Sequence, residues 1–115
     1  MEEEKKTKLR LAGVNLDSGV KRFLNNEALY EEFLLKFPSD VNMQILRQAF
    51  EAEEKTTAFH AAHTLLGVAA NLSMEQLYAA LRPATEALRG GNINLAKSYM
   101  PSAEKAYLTI LEALK

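Results

Sequence analysis

The residues of this chain with the clearest chemical potential are its two histidines, His60 and His63. A neutral imidazole is a nucleophile near neutral pH and is also a common metal ligand. The two histidines are three positions apart, so a helix would place both rings on one side. The pair therefore permits either metal binding by both rings or covalent attack by one of them.

Metal binding is the weaker of these two interpretations. Zinc generally takes three or four protein ligands, and the chain has two histidines and no cysteine. The absence of cysteine also excludes disulfides, Fe–S clusters and thiol catalysis. The motifs of serine hydrolases, zinc proteases and phosphate-binding loops are missing as well. An enzyme or metal protein that uses both histidines therefore ranks last, and we expect no bound metal.

The elements that must position these residues are helices, since helical periodicity recurs along the chain and no run alternates as a strand would. The pattern predicts a short helix over residues 18–24 with Asp17 as its N-cap. Longer helices are expected over about residues 27–37, 41–52, 54–71, 73–89 and 94–114. Pro83 is expected to kink its helix and Pro101 to bend the last one. Expected capping residues are Asn26, then Ser39 or Asp40, then Ser73 in an S-x-x-Q capping box with Gln76.

The fold class that follows is all-α, an antiparallel up-and-down four-helix bundle with a short additional N-terminal helix. A chain of 115 residues has room for one such domain. Residues 1–12 are expected to form a charged, flexible leader and residues 13–115 the bundle domain. The leader does not resemble a secretory signal, and the initial Met with this leader favours a free-standing protein. No apolar run is long enough to span a membrane, so we expect a cytoplasmic protein with no membrane partner.

The helix over residues 54–71 has an unusual outward face. Its core-facing stripe is formed by Ala58, Ala62, Leu65, Ala69 and Leu72. His63 lies about 140° from the centre of that stripe, Gly67 about 180° and His60 about 200°, so all three are expected to face solvent. Residues 58–72 carry no charged side chain when both histidines are neutral, although 25% of the chain is charged. Solvation alone does not explain such a surface.

An apolar shoulder formed by Phe59, Leu66 and Ala70 flanks His63, at about 80–120° from the core stripe. A glycine in a helix interior lowers helix stability by about 1 kcal/mol relative to Ala. Two explanations for Gly67 are therefore open: another helix packs closely there, or a partner needs access to the imidazole. A lone histidine on the surface of a helix usually has no specific function. Together these features favour a docking surface for another protein, with Phe59, Leu66, Gly67 and Ala70 as its contact residues around His63. We call this surface the His63 patch.

Residues 61–72, which read A-A-H-T-L-L-G-V-A-A-N-L, resemble the phosphorylation motif of histidine-containing phosphotransfer (HPt) domains, often written A-H-x-L-K-G-x-A-x-x-L. The likeness to the bacterial family extends from about residue 13 to the C-terminus. It is carried there by Gly19, Arg22, Phe23, Asn26, Glu27, Leu29, Tyr30, Phe33, Leu77 and residues 87–90.

The resemblance implies a phosphocarrier without kinase activity of its own. His63 would exchange a phosphoryl group with the aspartate of a response-regulator receiver domain, and a histidine kinase is the other partner class. The receiver would supply Mg²⁺ and an acidic pocket, so this chain would need no cofactor. We expect a monomer, and the net charge of -1 gives no field for binding nucleic acid.

One departure from the family motif concerns charge. Leu66 stands where the family usually has a lysine that could neutralise a phosphoryl group. His60, when protonated, could partly replace that cation and would then belong with Gly67 to the phosphoryl environment. The alternative is a degenerate HPt-fold binding module that docks a kinase or receiver without phosphotransfer.

Overall fold

A computed structural model describes all 115 residues of the chain. It contains seven α-helices: α1 (Glu3–Leu11), α2 (Leu16–Arg22), α3 (Glu27–Lys36), α4 (Asn42–Glu51), α5 (Lys55–Asn71), α6 (Glu75–Arg89) and α7 (Ile93–Ala113). A short 3-10 turn, Phe37–Ser39, follows α3. There is no β-strand, as predicted, and α6 and α7 continue as unbroken helices through Pro83 and Pro101. No helix has the length and apolar character needed to cross a bilayer.

Asparagine side chains cap three of the helix starts. The Asn26 side chain accepts a hydrogen bond from the Leu29 N–H at 3.0 Å, which confirms the predicted cap of α3. The cap of α2 was predicted two residues too late, because Asn15, and not Asp17, accepts the hydrogen bond from the Ser18 N–H at 3.1 Å. Asp17 instead lies inside the first turn, where a carboxylate is favourable to the helix dipole. Asn92 caps α7 in the same way as Asn26 caps α3.

The N-cap residue of α4 is Val41, so neither Ser39 nor Asp40 occupies the predicted cap position. The Asp40 carboxylate, one residue earlier, accepts a hydrogen bond from the Asn42 N–H at 2.8 Å. The remaining ends of the long helices agree with the periodicity to within two residues. Periodicity therefore predicts the positions of the long helices well, whereas Asn26 is the only one of the three asparagine caps that the sequence analysis identified.

The capping box predicted for Ser73 and Gln76 is wrong. Helix α6 begins at Glu75, and Ser73 is buried with a left-handed backbone, φ 55°. Its hydroxyl donates to the Ser18 hydroxyl at 3.1 Å and does not bond to a helix amide. Ser73 therefore joins the connection between α5 and α6 to α2, a tertiary role that the S-x-x-Q pattern does not reveal.

The charged leader is helical in the structure. Residues 3–11 form α1, which packs against α7 and α2. Leu9 and Ala12 are buried in the main core. Their burial attaches α1 to the protein, although most of its other side chains are charged and exposed. Most of the expected flexible leader is therefore helical, with Leu9 on α1 and Ala12 directly after it packed into the core.

Helices α4, α5, α6 and α7 pack as consecutive pairs, each joined to the next by a three-residue connection. Such short connections make neighbouring helices antiparallel. Arg47 on α4 and Glu104 on α7 close the arrangement through two hydrogen bonds of 2.6 Å. The core between them is apolar and includes Leu46, Leu65, Leu77, Leu81 and Ile110. One side of α5 is thereby buried, and its opposite side is left facing solvent.

Tyr30 attaches α3 to the end of α5. Its buried hydroxyl donates a hydrogen bond to the Leu72 carbonyl oxygen at 2.7 Å. The ring fits over Gly19 of α2, where any Cβ atom would overlap it. Burial raises the pKa of Tyr30, so the phenol stays protonated and able to donate.

We expect Tyr30→Phe to lower the free energy of unfolding by about 1–3 kcal/mol, because it leaves the Leu72 carbonyl without its partner. Chemical denaturation of both proteins measures this difference. Tyr99→Phe is the matched control, since Tyr99 is partly exposed and forms no side-chain hydrogen bond, and it is expected to change stability by less than about 0.5 kcal/mol. Equal effects of the two variants would contradict the role of the Tyr30 hydroxyl.

Residues 13–15 form a segment that pairs with the connection between α5 and α6. The Asn15 N–H donates to the Ser73 carbonyl at 2.8 Å, and the Gln76 N–H donates to the Gly13 carbonyl at 3.2 Å. Val14 and Met74 lie opposite each other between these bonds and are both buried. The 13–15 segment thus fixes the point at which the chain turns from α5 into α6.

Candidate functional site

The exposed side of α5 carries the histidines. His60, His63 and Gly67 are all exposed, as the periodicity predicts. On the opposite side of the same helix, Ala58 and Leu65 are completely buried. The core contacts of α5 therefore set the direction in which His63 points.

The apolar shoulder is partly covered by the rest of the protein. Phe59 and Leu66 are partly buried and pack against the main core. Ala70 is partly buried as well. A docking partner could bury the remaining apolar area beside His63, which is the driving force expected for such an interface.

The ring of Phe59 stacks on the imidazole of His63. The ring centroids of Phe59 and His63 are 5.6 Å apart with 29° between the planes. His60 contacts the same phenyl ring, also at 5.6 Å but at a tilt of 58°. These contacts are the only interactions of the two imidazoles among the hydrogen bonds, ion pairs and ring contacts of the structure. Both nitrogens of His63 are therefore free of protein hydrogen bonds, and the ring is oriented by stacking.

Gly67 is not required by packing. A Cβ atom built at this position would meet nothing within 4 Å. Close approach of another helix, one of the two explanations open from the sequence, is therefore excluded. The cost of glycine in a helix, about 1 kcal/mol relative to Ala, has no compensation within the chain. Access to the neighbouring imidazole is the explanation that remains.

An arginine that the sequence analysis did not identify lies at the edge of the His63 patch. The guanidinium carbon of Arg89 is 5.0 Å from the centroid of the Phe59 ring. Arg89 also pairs with Glu86 at 3.5 Å, one turn earlier on α6. Only the packing of α6 against α5 brings Arg89 here, so no motif on α5 could have revealed it.

The two histidines do not come together with further metal ligands. No group of three or more His, Cys, Asp or Glu side chains is arranged to hold a metal ion. Three or four protein ligands are usual for zinc. The arrangement instead leaves His63 as an accessible imidazole beside the apolar shoulder, with Arg89 at its edge.

A model of the Hpt domain family matches residues 29–115, which is more than half of the chain and includes His63. The chain belongs to the Hpt domain family. This match confirms the resemblance identified from residues 61–72. Hpt domains are phosphotransfer modules of phosphorelays and are carriers that work with receiver domains or kinases. No curated protein and no solved structure matches this chain significantly.

The Hpt match begins within α3, so α1 and α2 lie outside it. All the side chains of the His63 patch lie inside it, on α5. Helices α4 and α6 pack directly against α5, and α7 packs against α6. The helices outside the match contact the same body through Leu9, Gly19 and the 13–15 segment.

Proposed function

We propose that this protein is a histidine phosphocarrier of a two-component phosphorelay, with His63 as the residue that carries the phosphoryl group. One observation carries the proposal: in a chain of the Hpt family, the structure leaves His63 exposed and free of hydrogen bonds, next to a glycine that packing does not require. The partner is a response-regulator receiver domain or a histidine kinase, and the protein acts in the cytoplasm as a monomer.

The chemistry is a displacement at phosphorus. A lone pair on one imidazole nitrogen of His63 attacks the phosphoryl group of a receiver aspartyl phosphate, forming the N–P bond as the P–O bond to the aspartate breaks. The aspartate leaves as a carboxylate, and the proton on the second ring nitrogen stays there or passes to water. Transfer in the other direction reverses these steps. The acidic pocket of the receiver would hold Mg²⁺, which would neutralise charge on the phosphoryl oxygens, so this chain would need no cofactor of its own.

The remaining residues of the site orient the His63 ring or contact the partner. Phe59 holds the His63 ring by stacking, which limits the orientations that the attacking nitrogen adopts. Phe59, Leu66 and Ala70 offer the apolar contact area, and Gly67 leaves room for the receiver. His60 adds positive charge near the phosphoryl group when it is protonated. The scaffold is an up-and-down four-helix bundle of α4 to α7, within a functional domain of residues 13–115.

The test is phosphotransfer from phosphorylated receiver domains of the same cell in the presence of Mg²⁺. Phosphohistidine is identified by a phosphate that is lost in acid and retained in base. Label on this protein with matching loss from the receiver supports the carrier role. If no receiver or kinase labels the protein, the carrier role is wrong.

A second candidate function is favoured by Leu66, which removes the usual lysine from the motif. In that case the protein is a binding module that docks a kinase or receiver without accepting phosphate. Binding with no label, unchanged in His63→Gln, would select this function. A gain of label in Leu66→Lys would then show that the missing cation is the reason.

A further inference from the structure

One face of α6 runs beside the His63 patch. Tyr78, Arg82 and Arg89 share this face, since they follow one another at spacings of four and seven residues. Arg89 contacts Phe59 of α5 directly. Tyr78 lines a cleft together with Ala70 of α5. Arg89 and Tyr78, at the two ends of this face, therefore both lie beside residues of the His63 patch.

The position of Arg82 follows from these two contacts. Phe59 and Ala70 are eleven residues apart on α5, and Tyr78 and Arg89 are eleven residues apart on the antiparallel α6. Arg82 comes four residues after Tyr78, so it lies level with Leu66 on α5. Leu66 is the place at which the motif lacks its lysine. His63 lies between the levels of Arg82 and Arg89 on the same side of α5.

Both guanidinium groups are available. Ion pairs of arginines in the structure are those of Arg47 with Glu104 and of Arg89 with Glu86, and Arg82 has none. The pair of Arg89 and Glu86 joins side chains that are 53% and 57% exposed, and exposed pairs of this kind are weak. Arg89 and the His63 imidazole both contact the ring of Phe59.

We propose that Arg82 and Arg89 of α6 are the residues that neutralise the phosphoryl group on His63, in place of the lysine missing at Leu66. This inference rests on the proposed function, because it assigns residues to the same site. A phosphoryl group brings a charge of about -1.5 to -2 and three acceptor oxygens. Guanidinium groups are always charged and bind such oxygens through two parallel N–H bonds. They are positioning residues, since they hold the phosphoryl group while His63 carries it.

The experiment uses the full chain phosphorylated chemically with phosphoramidate, a small donor that replaces the receiver. The ³¹P resonance of phosphohistidine is followed as a function of pH in the wild type and in the double variant Arg82→Gln with Arg89→Gln. Cations that bind the dianion favour it, so their removal is expected to move the titration midpoint to higher pH by about half a unit. A second measurement is the partition of phosphate between this protein and a receiver, which is expected to fall about fivefold in the double variant.

Arg10→Gln is the control, because Arg10 is an exposed arginine on α1 outside the patch. A midpoint and partition that are unchanged in the double variant, with wild-type label still on His63, would overturn this inference and leave the carrier role intact. A midpoint that moves only in His60→Gln would also overturn it, since the histidine would then supply the charge. A shifted midpoint in a protein that no receiver labels would support the arginines and reject the carrier role.

Discussion

Replacing His63 with glutamine is expected to abolish the acid-labile phosphate that this protein acquires from a receiver. Glutamine keeps a polar side chain but has no ring nitrogen that can attack phosphorus. The fold is expected to survive, because His63 is exposed and forms no hydrogen bond in the structure. The measurement is label per mole of protein after incubation with phosphorylated receiver, with circular dichroism to confirm that both proteins remain helical.

The matched control is His60→Gln, which removes the other histidine from the same face of α5. Both rings contact Phe59 at the same centroid distance, 5.6 Å, so the two variants disturb similar surroundings. The His60 variant retains the acceptor and is expected to become labelled. Label on His63→Gln, or its loss only in His60→Gln, would contradict the assignment of His63.

Gly67→Gln is expected to lower the rate of transfer from the receiver by at least about tenfold, equivalent to about 1.4 kcal/mol of docking free energy. The new side chain would project from the exposed face of α5, one turn after His63, into space that is empty in the free protein. The same change should raise helix stability by up to about 1 kcal/mol, because glutamine favours a helix and meets no neighbour. Stopped-flow transfer kinetics and thermal unfolding measure these opposite effects.

Ser102→Gln on α7 is a suitable control for Gly67→Gln, since Ser102 is exposed on a helix that does not carry the patch. It is expected to leave transfer unchanged. Gly67→Ala should gain stability in the same way with a smaller loss of transfer, because a methyl group occupies less of the interface. Unchanged transfer in Gly67→Gln would exclude Gly67 from the receiver contact.

The outward direction of His63 could be predicted from the sequence because it depends on one helix alone. The apolar side chains of α5 recur at helical spacing and define the buried side, and the exposed side follows by geometry. The partial burial of Phe59 and Leu66 was also predictable, because they border that stripe. The family motif falls on the same helix, so two independent patterns point to one residue.

Features that depend on how helices meet could not be predicted in this way. Arg89 reaches Phe59 only through the packing of α6 against α5, and the position inferred for Arg82 depends on the same register. The connection at Leu72, Ser73 and Met74 sets that register. Ser73 was predicted to be an N-cap because Ser73 and Gln76 fit the capping-box pattern. In the structure it is instead buried and bonded to Ser18 of α2, a contact that no local pattern indicates. Helix α1 was missed because its few apolar side chains gave a weak periodic signal.

The 13–15 segment determines where the domain can be cut. A fragment that begins at residue 29, where the family match starts, would lack both Asn15, which donates to the Ser73 carbonyl, and Gly13, which accepts from Gln76. It would also remove Gly19 and expose the ring of Tyr30. The turn that sets the register of α6 against α5 would then lose these two hydrogen bonds. We therefore expect that a recombinant boundary that preserves this register lies at or before residue 13.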